Sequence, residues 1–147
     1  DASRLAAGLQ EGGVHYWRLD EPDQLYMSGY PGKVRSLSWD ASGGYLATGG
    51  GSSLVIWACI EGGPAGTEPA VLDLHTKPIS AVAFAPRGAA IASGSRDGSA
   101  VVVDPTTSAA AASLNRPHKV TDLAWRPGAD RVAFGDGRIA VCPGTLD

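Results

Sequence analysis

The chain has 147 residues, 44% of them hydrophobic and 18% charged, a balance that fits one domain with a buried core and excludes a disordered tail. Its formal charge of −3 argues against a general nucleic-acid binder, whose affinity comes from Lys and Arg neutralising phosphates. No run of about 18 apolar residues and no charged-then-apolar leader occurs, so no membrane or export segment is expected. The two cysteines, Cys59 and Cys142, have neither zinc-ligand spacing nor the number a disulfide framework needs, and reduced thiols imply an intracellular, cytoplasmic protein.

Twenty Gly and ten Pro are spread along the whole chain and no window keeps a helical period, which predicts an all-β protein of short strands joined by turns. In chain order, "RLAAGL" (4–9) and "GVHYWRL" (13–19) read as a strand pair. "VRSLSWDASGGYLATGG" (34–50) and "SLVIWAC" (53–59) add three strands, and "CIEGGPAGTEPA" (59–70) reads as an exposed irregular loop. "ISAVAFAPRGAAIASGS" (79–95) and "SAVVVDP" (99–105) repeat the arrangement, with "PTTSAAAAS" (105–113) a permissive turn into a degenerate outer strand. "VTDLAWRPGADRVAFGD" (120–136) and "RIAVCPG" (138–144) repeat it once more. The cores "RLAAGL", "YLATGG", "AIASGS" and "RVAFGD" start 41, 45 and 41 residues apart, and Trp39, Phe84 and Trp125 hold the same place before three of them. A fixed period of this length marks a repeat architecture.

This pattern resembles the WD-repeat family of β-propellers over nearly the whole chain. The resemblance implies four-stranded antiparallel blades set radially around a channel. It divides the chain into part of a blade at 3–29, whole blades at 30–74 and 75–115, and part of a blade at 116–147 that lacks its outer strand. Gly and Ala in each second strand would let adjacent sheets approach. About three and a half blades cannot close a ring, so the expectation is the C-terminal half of a larger, seven-bladed propeller, with the remaining blades supplied by the same or another chain. An open β-sandwich, the alternative fold, leaves the 41 to 45 residue period unexplained.

The resemblance also implies a hydrogen-bonded set of His, Ser or Thr, Asp and Trp within a blade, which buries an imidazole and a carboxylate together because either alone is costly. In the third blade the matching residues are His75, Ser93 and Asp97, with Val103 at the Trp place. The second keeps Thr48 and Trp57, has Tyr30 where His is expected, and its turn "GGGSS" is too short for the Asp. The first keeps Trp17 with Glu11 and Ala7 at the acidic and hydroxyl places, and the last has Arg116, Phe134 and Cys142. No blade is therefore expected to hold a complete set. His75, Ser93 and Asp97 are also the residue types of a hydrolytic triad. The resemblance turns that Ser toward a neighbouring blade, and no GxSxG is present, so no catalytic residue and no enzyme is expected. His15, His75 and His118 fall in different blades without metal-ligand spacing, and "GGGS" (49–52) precedes no helix that would offer an anion its N-terminus, so neither metal nor cofactor is expected.

What remains is binding. In propellers of this type, residues flanking the first apolar residue of the inner strand, and the residue before the turn Asp, meet partners on one face. Here these are Lys33 and Arg35, Pro78 and Ser80, Lys119 and Thr121, Gln10 and Arg96; four of the eight are basic and none is acidic in an otherwise acidic chain. The function expected is a non-catalytic protein–protein interaction scaffold that docks an acidic peptide or protein on a basic top face through Lys33, Arg35, Arg96 and Lys119. Its partners are other proteins, with neither nucleic acid nor membrane among them. The alternative is a small-ligand or enzymatic propeller with a site in the central channel, for which the inner strands offer only Arg35 and Asp122.

Overall fold

The computed structural model describes residues 3–128, 131–135 and, as backbone alone, 139–143. The first sheet joins β1 (Arg4–Gly8), β2 (Val14–Arg18) and β3 (Gln24–Met27). The second joins β4 (Ser36–Trp39), β5 (Tyr45–Gly49), β6 (Ser53–Ala58) and β7 (Ala70–Asp73). The third joins β8 (Ile79–Phe84), β9 (Ile91–Ser95), β10 (Ser99–Asp104) and β11 (Ala109–Asn115). The fourth joins β12 (Asp122–Trp125), β13 (Arg131–Gly135) and β14 (Ile139–Pro143). Every sheet is an antiparallel meander, as the repeat of strand and tight turn predicts, and no helix occurs among the described residues.

The sheets pack face to face in chain order, each touching its sequence neighbours. Val14, Tyr16 and Met27 of the first sheet meet Leu46 and Trp57 of the second. Ala47, Leu54 and Ile56 on the opposite face of the second meet Ile79, Val82, Phe84 and Ile91 of the third. Ala92, Ala100 and Val102 of the third meet Val120, Val132 and Phe134 of the fourth. Large apolar side chains come from both sides of the first two interfaces, and Ala is prominent on the third-sheet side of the last. One contact recurs at all three. A Cβ added to Gly8 would stand 2.8 Å from the Val34 carbonyl oxygen, one on Gly49 2.5 Å from Ile79 Cγ2, and one on Gly94 2.4 Å from Val120 Cγ1. The glycine at or next to the end of β1, β5 and β9 is thus the notch that receives the first apolar residue of the next sheet, which is why each of these three cores carries Gly at its fifth place.

The same three apolar residues are tied by backbone. Val34 N–H donates to Leu9 O (3.1 Å), Ile79 N–H to Gly51 O (2.8 Å) and Val120 N–H to Ser95 O (2.9 Å), in each case a turn of the preceding sheet. Side chains then stitch the inner strands across sheets. Ser36 Oγ accepts from Val82 N–H (3.0 Å), Ser38 Oγ accepts from Phe84 N–H (2.9 Å), Ser80 Oγ donates to Val120 O, and Trp125 Nε1–H donates to Ala83 O (2.9 Å).

The 59–70 segment is an irregular and mostly exposed loop, as its composition predicts, anchored at a few points. Cys59 is fully buried in the core between the first two sheets, Pro64 is buried, and Gly63 lies over the Tyr16 ring. Burial pushes the Cys59 thiol up to about 11, against the opposing pull of Arg4, which leaves it a core residue and a poor nucleophile. The outward face of the first sheet is uncovered. Leu5 (53% exposed) and Tyr26 (50%) share it with Trp17 and His15, whose rings lie 5.4 Å apart.

Candidate functional site

Two polar relays lie inside the sheets. In the third sheet, Ser99 Oγ donates to Asp97 Oδ1, so it accepts from His75 Nδ1–H at 2.5 Å; the neutral ring then accepts at Nε2 from Ser93 Oγ–H at 2.8 Å. His75 and Asp97, 3.9 Å apart at their nearest atoms, are therefore joined through Ser99, a residue outside the expected set. Asp97 also accepts from the Thr76 amide (2.7 Å), the Thr76 hydroxyl (3.1 Å) and the Ser99 amide (2.7 Å). Partial burial raises the Asp97 pKa, but these four donors outweigh it and hold the carboxyl below its ordinary 3.8. Burial lowers the His75 pKa from 6.5, against the opposing pull of Asp97. The turn that brings these residues together needs Gly98, whose φ is +90° and whose added Cβ would strike the Arg116 carbonyl oxygen.

In the second sheet the relay carries no charge. Trp57 Nε1–H donates to Tyr30 Oη (2.7 Å), Tyr30 donates to Thr48 Oγ1 (2.7 Å), and Thr48 donates to Val55 O (3.2 Å). Burial pushes the Tyr30 hydroxyl above its ordinary 10.0, against the lowering effect of these hydrogen bonds, so it stays protonated. Neither sheet holds the full set of His, Ser or Thr, Asp and Trp, as the sequence reads; the correction is that residues outside that pattern close both networks. Tyr30 does the bridging assigned to His and removes the need for an Asp, while Ser99 completes the third set without a Trp. Trp17 is a second correction, because it joins no hydrogen-bonded set among the described residues. Leu5 opposes it and Ala7 holds the hydroxyl place, so its indole rests against His15 instead. Cys142, assigned to the fourth set, has its side chain outside the described residues.

Ser93 Oγ and His75 Nε2 have the spacing of a nucleophile and its base, yet Ser93 and the His75 side chain are 0% exposed, and no route leads a substrate carbonyl to them. Among the described residues no group of three or more His, Cys, Asp or Glu stands close enough to hold a metal ion.

The four cations behave differently. Lys33, Arg35, Arg96 and Lys119 all line one depression of about 340 Å³, together with Ser80 and Thr121. Its geometry follows from the notches. Val34 and Val120 point into the preceding sheet and are buried, while their neighbours Lys33, Arg35, Lys119 and Thr121, in the segments that lead into β4 and β12, line the depression. At the third sheet the flanking positions are Pro78 and Ser80, and Arg96 from the adjacent turn supplies the charge; its N–H donates to Pro78 O (3.1 Å). Among the described residues no Asp or Glu lines the depression and none of its four cations is ion-paired. Gln10 is exposed and lies outside it. Of the two ionisable residues at the inner strands, Arg35, just before β4, lines the depression, whereas Asp122, the first residue of β12, does not.

The opposite face carries a larger depression, about 410 Å³, between the second and third sheets. Ile56 and Phe84 form its floor, and Asp40 and Glu68 stand on its rim. The two faces thus differ in sign.

A family model described as "WD domain, G-beta repeat" matches residues 23–58 and 66–104, together just over half of the chain. No curated protein matches. Among solved structures, a chain in the crystal structure of a mitotic checkpoint complex is similar with a TM-score of 0.85 and 23% identity, covering 98% of this chain and 45% of that one. The present chain therefore spans less than half the length of that relative. In all, 1082 solved chains match, so the likeness fixes an architecture that hosts many functions.

Proposed function

The chain belongs to the WD-repeat family, and on that premise we propose that it is a non-catalytic protein-interaction scaffold that docks an acidic peptide or protein segment on its basic face. The observation that carries this reading is the convergence of Lys33, Arg35, Arg96 and Lys119 on one depression, in a chain whose net charge is −3. Four like charges held together with no carboxylate among them repel one another, and an acidic segment relieves that repulsion as it binds. The cations come from three successive sheets, so a ligand there reads the assembled arc and no single repeat. A further set of blades, from the same or another chain, belongs to the same proposal, because the Leu5, Trp17 and Tyr26 face of the first sheet presents apolar area suited to a neighbouring sheet. The buried, unbridged Cys59 fits an intracellular setting.

The test is capture on an immobilised glutamate-rich peptide at low and moderate salt. The quadruple variant K33E/R35E/R96E/K119E is expected to lose capture while its urea unfolding curve stays within experimental error of the parent. Retained capture by the quadruple variant overturns the proposal.

A further inference from the structure

We infer that the basic mouth is one end of a longer groove for an extended acidic segment, with Lys77 as the cation at the other end; the inference rests on the acidic-partner reading above and adds the shape of the ligand. A second depression, of about 300 Å³, lies between the entry loops of the second and third sheets. It shares Lys33 and Arg35 with the mouth, adds the exposed Lys77, and is walled by the backbone of Gly50 and Gly51. The two depressions adjoin at the shared pair, so Lys77 on one side of Lys33 and Arg35, and Arg96 and Lys119 in the mouth, line one continuous surface. Among the described residues none of the five is ion-paired and no Asp or Glu lines either depression. Asp97, the carboxylate that approaches the second depression through Thr76, has both oxygens occupied by Thr76 and Ser99 and competes poorly for Lys77.

The hydroxyls of the mouth are already committed, Ser80 to Val120 O and Gly94 O, Thr121 to Gly135 O, and in the second depression Thr76 is committed to Asp97. Recognition therefore falls to charge arranged along a line. A compact anion neutralises one depression and leaves the far cations without a partner. An extended chain advances about 3.3 Å per residue and returns a side chain to the same side every second residue, so roughly six residues with repeated carboxylates reach both depressions.

The test measures fluorescence anisotropy of labelled hexaglutamate and triglutamate with the protein and with Lys77→Glu, Lys119→Glu and Arg87→Glu, the last beside the opposite-face depression as a control for net charge. Engaging both subsites with one chain makes hexaglutamate bind at least about tenfold tighter than triglutamate. Lys77→Glu and Lys119→Glu each weaken hexaglutamate severalfold, and Arg87→Glu changes it by less than about twofold, since screening damps distant charges. Equal affinities for the two peptides, or hexaglutamate binding lost in Lys119→Glu and untouched in Lys77→Glu, overturn the groove and leave the acidic-partner reading standing. Displacement of hexaglutamate by lower concentrations of inositol hexakisphosphate than of unlabelled hexaglutamate also overturns it, in favour of a compact polyanion. No binding of either peptide to the parent protein at low salt overturns the acidic-partner reading itself.

Discussion

Replacing Tyr30 by Phe removes one oxygen and tests whether the uncharged relay of the second sheet stabilises the fold. In the parent protein that oxygen accepts from Trp57 and donates to Thr48, each at 2.7 Å. Thr48 keeps its own acceptor, Val55 O, so it loses only an incoming bond worth about 1 kcal/mol. Trp57 fares worse, because the residue is 8% exposed and its indole N–H is left with no acceptor, at about 1–2 kcal/mol. The total, about 2–3 kcal/mol, lowers Tm by roughly 5–10 °C for a chain of this size. Urea unfolding followed by tryptophan fluorescence reads the loss directly. Trp57→Phe in the Tyr30→Phe background is expected to cost about 1–2 kcal/mol less than in the parent, since the stranded donor is gone. A Tyr30→Phe variant within about 0.5 kcal/mol of the parent, or strict additivity of the two changes, would refute the reasoning.

The charged relay of the third sheet predicts loss of stability in acid, in two windows of the same sign. His75 is neutral when folded and takes up a proton in the unfolded chain below 6.5, so the unfolded state binds more protons and stability falls as pH drops through that value toward the depressed folded one. Asp97 stays ionised when folded and is protonated in the unfolded chain below 3.8, so a second loss follows there. Urea midpoints from pH 8 to pH 3 are expected to show both limbs, with His75→Gln removing the upper and Asp97→Asn reducing the lower, to which Asp40 and Asp104 also contribute; a flat profile in the parent refutes the assignment. At the sheet interfaces, Gly94→Ala is expected to destabilise by about 1–3 kcal/mol, because its Cβ meets Val120 Cγ1 at 2.4 Å. Gly62→Ala, whose Cβ meets nothing within 4 Å, is the control and stays near the parent in the same assay.

The parts of the molecule legible in the sequence are those that depend on alternation and spacing. The 41 to 45 residue period locates the sheets, and the places flanking Val34 and Val120 bring Lys33, Arg35 and Lys119 to one mouth. Features that depend on reach across space were not legible. Ser99 bridges His75 and Asp97 because of where the Gly98 turn places it, although nothing in "RDGS" singles out that serine. In the sequence Tyr30 marks a missing His, whereas in the fold its ring carries a hydroxyl to both Thr48 and Trp57. Trp17 failed in the opposite sense, since the right residue sits opposite Leu5 with no hydroxyl near it. Lys77 stands two residues before Ile79, off the flanking positions, and joins the groove only through the cleft between two sheets. The depression on the opposite face has no signal in any single repeat, because half its wall comes from each of two.

The stitches between inner strands have a kinetic consequence. Hydrophobic faces alone can slide, but Ser36 and Ser38 on Val82 and Phe84, with Ser80 and Trp125 on Val120 and Ala83, are directional bonds that fix the angle between successive sheets. Lys33, Arg35 and Lys119 lie just before two of those inner strands and Arg96 just after β9, so bonds that resist splaying of the sheets also hold the charges together before a ligand arrives. For the acidic segment proposed above, docking then needs no closing motion. Its rate is set by long-range attraction at encounter, rising steeply as salt is lowered, while the lifetime of the complex is left to the number of carboxylates that find a cation.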